Sequence, residues 1–83
     1  MTLEDYISFV GYPDYEMFFD RIQELRVTDD GDLSDSVLVD KVDYYECLKN
    51  EIACVEHVMY LDKGSSAEDR IDMFSVTVYA GDS

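Results

Sequence analysis

Basic side chains and cysteines are scarce in this chain, and tryptophan is absent. Its 83 residues include six lysines and arginines, one histidine and two cysteines. A surface with so few cationic side chains repels polyanions. Nucleic acid and anionic membranes are therefore not expected as direct partners. No segment approaches the roughly 18–20 apolar residues of a membrane helix, and the first residues do not form a signal peptide. The sequence therefore predicts a cytoplasmic protein.

The side chains that most often carry catalysis or bind metal are also few. Cys47, Cys54 and His57 fall short of the four ligands, in paired clusters, that structural zinc normally needs. Both cysteines are expected to be free and buried in a reducing cytosol, with a disulfide between them as the alternative. Neither a Gly-x-Ser-x-Gly sequence nor a phosphate-binding glycine loop is present. We therefore expect no enzyme activity, no metal and no cofactor.

Aspartates cluster in residues 28–35, which raises the question of calcium. An EF-hand loop counted from Asp30 requires glycine at its sixth position and glutamate at its twelfth. Asp35 and Lys41 occupy those positions in this chain. The cluster therefore does not predict a calcium site.

Acidic side chains dominate what the chain does contain. Aspartate and glutamate number 20, and the formal net charge is -14. However, 47% of the residues are hydrophobic and 13% are aromatic, which distinguishes the chain from a disordered acidic tail. A net charge of about 2–8 in magnitude keeps a small domain soluble, so the excess suggests a purpose. The composition predicts one small folded domain over residues 1–83, with a negative surface and a basic partner.

Three short helices are predicted before residue 50. The first follows a capping box at Thr2 and Asp5 and ends near Gly11, with apolar side chains recurring at helical spacing. The second begins at Pro13, a favourable first-turn residue. Its apolar stripe comprises Tyr15, Phe18, Phe19, Ile22 and Leu25. This second helix, separate from the first, is thus predicted to include Leu25.

The third helix is predicted to begin at Ser34 or Asp35, after an acidic loop, and to end near Asn50. Its inward-facing side chains would be Leu38, Val42, Tyr45 and Leu48. Since Tyr45 belongs to this stripe, the neighbouring Tyr44 is predicted to face solvent.

The remaining sequence favours strands. Residues 52–61 are rich in strand-forming side chains, although the same segment can also prolong the third helix. Residues 71–80 alternate, and a polar loop over 62–69 separates the two segments. The predicted fold class is α+β: three short N-terminal helices followed by a C-terminal antiparallel β-hairpin, which packs on the helices.

Carboxylates of the acidic loop and third helix form the predicted partner-binding surface. Acids three residues apart on a helix lie about 5–6 Å from one another, close enough to replace successive DNA phosphates against arginine and lysine. Tyr44 would be an exposed aromatic anchor among them. The predicted site residues are Asp29, Asp30, Asp32, Asp35, Asp40, Asp43, Tyr44 and Glu46.

A small, very acidic, tyrosine-rich domain of this kind resembles the DNA-mimic inhibitors of phages and mobile elements, and anti-CRISPR proteins most of all. The resemblance is one of composition, carried by residues 28–46 together with Asp14, Asp20 and Glu24. It implies a stoichiometric inhibitor in the cytoplasm of a host bacterial cell. Such an inhibitor would occupy the DNA- or PAM-binding surface of a CRISPR effector complex, with Cascade as the first candidate and Cas9 as the second.

Two other classes of function remain open. An immunity protein or antitoxin that neutralises a basic nuclease or toxin would also be small and acidic, but would bind one cognate protein through buried anchors. An interaction module without mimicry is the third class. Graded loss of binding on charge neutralisation distinguishes mimicry from an interface that depends on one aromatic side chain.

Overall fold

The computed structural model describes residues 1–61 and 70–81. Within these ranges the chain forms three α-helices and four β-strands, which confirms the α+β class. Their bounds are α1 (Leu3–Phe9), α2 (Tyr15–Phe19), β1 (Ile22–Thr28), β2 (Val37–Leu38), α3 (Tyr44–Cys47), β3 (Ile52–Leu61) and β4 (Arg70–Tyr79). The predicted order of elements is wrong, because β1 and β2 lie between the second and third helices. No helix in the described ranges is long and apolar enough to cross a membrane.

The four strands form one mixed sheet in the order β2-β1-β4-β3. β3 and β4 are antiparallel, with Val55 opposite Val76, so the predicted hairpin is confirmed and residues 52–61 are strand. The polar loop predicted over 62–69 lies outside the described residues. β1 pairs in parallel with β4 and antiparallel with β2. The hairpin is therefore half of a larger sheet.

The first helix forms as predicted. Thr2 and Asp5 make the reciprocal capping box, with a distance of 3.3 Å for each bond between a backbone nitrogen and the other residue's side-chain oxygen. Gly11 adopts a φ of 94°, the left-handed conformation that suits a glycine after a helix. Both ends of α1 are thus set by residues close in sequence.

The second helix ends at Phe19, far short of the predicted Leu25. Ile22 and Leu25 belong to β1 and both point into the core. A register shift between Ile22 and Glu24, typical of a β-bulge, lets side chains three residues apart share one face of a strand. This spacing resembles a helical stripe, which is why the sequence pattern was misleading.

The predicted third helix is replaced by short pieces. Its first half contains a 3₁₀ turn at Leu33–Asp35, strand β2 and a 3₁₀ turn at Lys41–Asp43, and only Tyr44–Cys47 is α-helical. Aspartate side chains in this region bond to nearby backbone amides, an arrangement that competes with helix formation. Leu38, predicted to face inward from a helix, instead pairs with Arg26 in the sheet.

The core lies between one face of the sheet and the three helices. Its buried residues are Leu3, Ile7, Phe18, Ile22, Leu25, Tyr44, Cys47, Leu48, Phe74, Val76 and Val78. The rings of Phe18 and Phe74 meet with centroids 5.0 Å apart, which joins α2 to β4. The opposite face of the sheet carries polar side chains such as Glu24, Ser75 and Glu56, together with Val58 and Met73.

Candidate functional site

The predicted site residues all lie in the stretch of chain that contains one edge strand of the sheet. We call residues 29–46 the acidic edge, because this stretch contains β2, the edge strand next to β1. It carries Asp29, Asp30, Asp32, Asp35, Asp40, Asp43 and Glu46. Within the described ranges none of these carboxylates forms an ion pair. The side chains that the structure describes therefore do not neutralise these carboxylates.

Several of these aspartates shape the backbone around them. Asp30 Oδ1 accepts a hydrogen bond from the Asp32 amide at 2.9 Å, and Asp40 Oδ1 accepts one from the Val42 amide at 3.1 Å. Asp32 Oδ1 accepts bonds from both the hydroxyl and the amide of Ser34, which lower the pKa of Asp32. These bonds order the loop and favour the charged form of Asp32, so the acidic edge has a defined backbone conformation.

The acidic edge is also held against the sheet. Thr28 Oγ1 donates to the Asp32 carbonyl at 3.1 Å and accepts from the Gly31 amide at 3.2 Å. Gly31 has a φ of 85°, and a Cβ at this position would lie 2.9 Å from the hydroxyl of Tyr79. Any larger residue would meet both backbone strain and the Tyr79 ring. The start of the acidic edge is therefore bonded to the end of β1 and lies close to Tyr79 of β4.

The prediction that Tyr44 is exposed is wrong. Tyr44 is fully buried, its ring lies 5.3 Å from that of Phe19, and its hydroxyl donates to the Tyr15 carbonyl at 2.8 Å. Burial raises the pKa of Tyr44 well above its ordinary value. Without the long helix, α3 orients Tyr44, Cys47 and Leu48 toward the core. The spacing of these three residues was the signal that sequence reasoning missed.

Tyr45 takes the place predicted for Tyr44. Its side chain is 52% exposed, and its ring is stacked near that of Phe19 with an interplanar angle of 17°. The same surface exposes other apolar side chains, including two that were predicted to be buried, Leu38 and Val42. The full set is Leu33, Val37, Leu38, Val42 and Tyr45, each between 46% and 76% exposed. Apolar side chains among charges are typical of protein-binding surfaces.

The other acids that carry the resemblance lie outside residues 29–46, on or beside α2 and on β1. Asp14 caps α2 by accepting from the Met17 amide at 2.8 Å, and Asp20 follows the same helix. Glu24 lies on β1, where it accepts from Arg26 Nε at 3.3 Å. Asp14 thus has a role in forming α2, and Glu24 forms an ion pair within β1.

Cysteine and metal chemistry contribute little to the site. Both cysteines are free, with Cys47 buried and Cys54 half-buried. Burial, reinforced by the carboxylates of Asp43 and Glu46, raises the pKa of Cys47. Among residues 1–61 and 70–81, no group of three or more histidine, cysteine or acidic side chains is arranged to bind a metal ion.

Comparison with known proteins assigns the chain to no family. No family model, no curated protein and no solved structure matches it. Its function therefore has to be inferred from its own residues and geometry.

Proposed function

We propose that the protein is a stoichiometric inhibitor that binds a basic nucleic-acid-binding protein and excludes DNA from it. The acidic edge is the proposed contact surface. One observation carries the proposal: the carboxylates of this stretch have no ion-pair partner in the described part of the chain, yet hydrogen bonds hold the stretch in a defined shape. Because this surface is already ordered, little conformational entropy would be lost when it binds an array of cations.

The mechanism needs no covalent chemistry. Carboxylates of the acidic edge would occupy the positions where arginine and lysine side chains of the partner hold DNA phosphates. Arginine binds both groups through paired hydrogen bonds, so the exchange preserves its geometry. Opposite charges would speed association and make it sensitive to salt.

A CRISPR effector complex is the first partner that we propose, with Cascade ahead of Cas9. The resemblance in size and composition to anti-CRISPR proteins supports this choice, as does the need for a large basic surface. The exposed apolar side chains of the acidic edge, Val42 and Tyr45 above all, would pack beside the cationic contacts. Nucleic acid itself is not a proposed partner, because the net charge of -14 repels it.

An immunity protein or antitoxin is the second candidate. Its supporting observation is the exposed apolar set on the acidic edge, since such side chains can act as anchors for one cognate toxin. Charge alone would explain the carboxylates of this surface but not Val37, Leu38 or Val42. The two candidates therefore differ in which side chains supply most of the binding free energy.

Competition for DNA tests the proposal. Purified Cascade and Cas9 are each mixed with labelled target DNA, with and without the protein, and bound DNA is measured by gel shift. The acidic-edge variant carries Asp29→Asn, Asp35→Asn and Glu46→Gln. A control variant with the same change in charge carries Glu4→Gln, Glu16→Gln and Asp20→Asn on the helices. Within the described parts of the chain, none of these six carboxylates accepts a hydrogen bond, so neither variant is expected to disturb the fold.

Mimicry predicts that the wild-type protein displaces DNA from one effector and that high salt or excess DNA reverses the effect. The acidic-edge variant should lose at least about tenfold in inhibitory strength, while the control variant retains it. Equal losses in both variants would show that only total charge matters. If Tyr45→Ala alone abolishes binding, the immunity or antitoxin candidate is favoured. Absence of binding to every effector would reject the CRISPR partner.

A further inference from the structure

A polar groove of about 310 Å³ lies on the face of the sheet opposite the helices. The register of β1, β4 and β3 arranges its floor in two rows. One row contains Glu24, Ser75 and Glu56, and the next contains Arg26, Thr77 and Cys54. All of these side chains line the groove. The Ser75 hydroxyl on the central strand is thus flanked by the carboxylates of Glu24 and Glu56, one on each neighbouring strand.

The groove carries an excess of negative charge. Arg26 Nε donates to Glu24 Oε2 at 3.3 Å, which uses one oxygen of that carboxylate. Glu56 has no ion-pair partner in the part of the chain that the structure describes. Arg26 is the one cation among the lining residues, so it balances only one of the glutamates. A cationic ligand would balance the charge of the second glutamate.

Thr77 provides a second, independent sign of a ligand. Its side chain is only 8% exposed, and its hydroxyl forms no hydrogen bond within the described ranges. Every fully buried polar side-chain atom in these ranges has a partner, so the Thr77 hydroxyl must open into the groove. Its neighbours across both strands, Arg26 and Cys54, line the same groove. The hydroxyl can therefore donate a hydrogen bond to a ligand in the groove or accept one from it.

We infer that this groove binds a guanidinium group, either of an arginine side chain in a partner protein or of a free guanidinium compound. The acceptors on offer are Glu24 Oε1, both oxygens of Glu56, and the hydroxyls of Ser75 and Thr77. Guanidinium has five N–H donors in one plane and can bridge acceptors on separate strands, whereas an ammonium presents a compact point charge. β1 and β3 lie two strand spacings apart, about 10 Å, which suits a bridging ligand.

The size of the groove agrees with this ligand. At about 310 Å³ it lies at the small end of the range of small-molecule sites, roughly 300–1,000 Å³. One long side chain or one small molecule would fill it. Leu33 and Ser36 of the acidic edge also line the groove, but none of the acidic-edge carboxylates does. The inference therefore does not rest on the proposed function.

Cys54 supplies a reporter inside the groove. The rate at which iodoacetamide alkylates Cys54 is measured by mass spectrometry in increasing concentrations of N-acetyl-arginine amide. Cys47, which is buried and has a raised pKa, serves as the internal reference. We expect saturable protection of Cys54 by the capped arginine. Capped lysine should need a concentration about tenfold higher for the same protection, because it cannot bridge the acceptors.

Variants distinguish binding of the capped arginine in the groove from nonspecific attraction of a cation to an acidic protein. Glu56→Gln should weaken protection by capped arginine about tenfold, since a charge-assisted bond is lost. Glu16→Gln removes the same charge from α2 and should leave protection unchanged. Thr77→Val tests the buried hydroxyl, and Ser75→Ala tests the more exposed one if the former variant unfolds.

The outcomes distinguish the two sources of guanidinium. Stronger protection by capped arginine than by free L-arginine would identify a protein side chain, and the reverse would identify a small molecule whose carboxylate meets Arg26. Equal protection by capped lysine, or equal losses in Glu56→Gln and Glu16→Gln, would overturn the inference in favour of diffuse cation binding. No protection by any of these probes would also overturn it. Displacement of DNA from an effector is a separate measurement, so failure here leaves the proposed function standing.

Discussion

The two edges of the sheet differ in length and in charge. β2, at one edge, has two residues and lies within the acidic edge. β3, at the other, has ten residues and contains one carboxylate, Glu56. The only described segment beside the outer edge of β3 is at its start, where the Ile52 amide donates to the Met1 carbonyl at 2.9 Å. The long edge therefore has little charge, and the short edge has much.

This difference bears on what the carboxylates are for. Exposed strand edges promote aggregation, and charged side chains on them are a common protection. If the acids of this chain served only that purpose, we would expect them along β3, where the exposed backbone is longest. Seven of the 20 lie instead within residues 29–46, around a strand of two residues. Their position supports a role in binding a partner.

The largest expected effect is a difference in stability between variants of two neighbouring residues of the acidic edge, the buried Tyr44 and the exposed Tyr45. Tyr44→Ala should lower the free energy of unfolding by about 3–5 kcal/mol, because it leaves a cavity beneath α3. Tyr45→Ala should change it by less than about 0.5 kcal/mol. Urea denaturation of both variants measures the difference. Equal losses would mean that both rings belong to the core.

Removing charge from the acidic edge tests whether repulsion is concentrated there. The variant with Asp29→Asn, Asp35→Asn and Glu46→Gln should melt a few degrees higher than wild type at low salt, since like charges close in sequence repel one another. This gain should largely disappear in molar salt. The helix variant with Glu4→Gln, Glu16→Gln and Asp20→Asn should gain less. A larger gain in the helix variant would contradict the comparison of the edges.

The long edge is tested by removing its one carboxylate. Glu56→Val should raise self-association severalfold in high salt, because β3 would then lack charged protection. Light scattering across a concentration series measures the effect. Glu16→Val, which makes the same change on α2, should remain monomeric under the same conditions. Association of both variants would indicate a general loss of solubility.

The smallest effect concerns the pKa of Asp32. Its bonds from Ser34 lower this pKa, so they contribute stability that is present above the ordinary aspartate value of about 3.9 and lost as the pH falls through the lowered one. Ser34→Ala removes the hydroxyl bond and should raise the pKa of Asp32 toward its ordinary value. Carboxyl carbon shifts measured by NMR report it directly. An unchanged pKa would show that the backbone bond suffices.

Local signals explain the parts of the fold that the sequence predicts. The capping box at Thr2 and the alternation of β4 depend on residues close together in the chain, and α1 and the hairpin form as expected. β1 was not predicted because its partner, β4, is distant in sequence and because its bulge gives Ile22 and Leu25 a helical spacing. Pairing between distant segments leaves no local pattern.

The sequence likewise predicts one part of the candidate site and misses another. Sequence alone predicts that the carboxylates from Asp29 to Glu46 share one stretch of surface, since they are close in the chain. It does not predict which of Tyr44 and Tyr45 is buried, because that depends on where α3 begins. The exposure of Val42 was missed for the same reason.

Parallel pairing between β1 and β4 also constrains the order of assembly. Ile22 pairs with Phe74, so the centre of the sheet cannot close until β4 has left the ribosome. Until then the apolar side chains of β1 have no partner strand, and chains in this state would tend to join one another. The acidic residues between β1 and β3 are already exposed during that interval. Their mutual repulsion would keep unfinished chains apart, a benefit during synthesis that precedes any encounter with a partner.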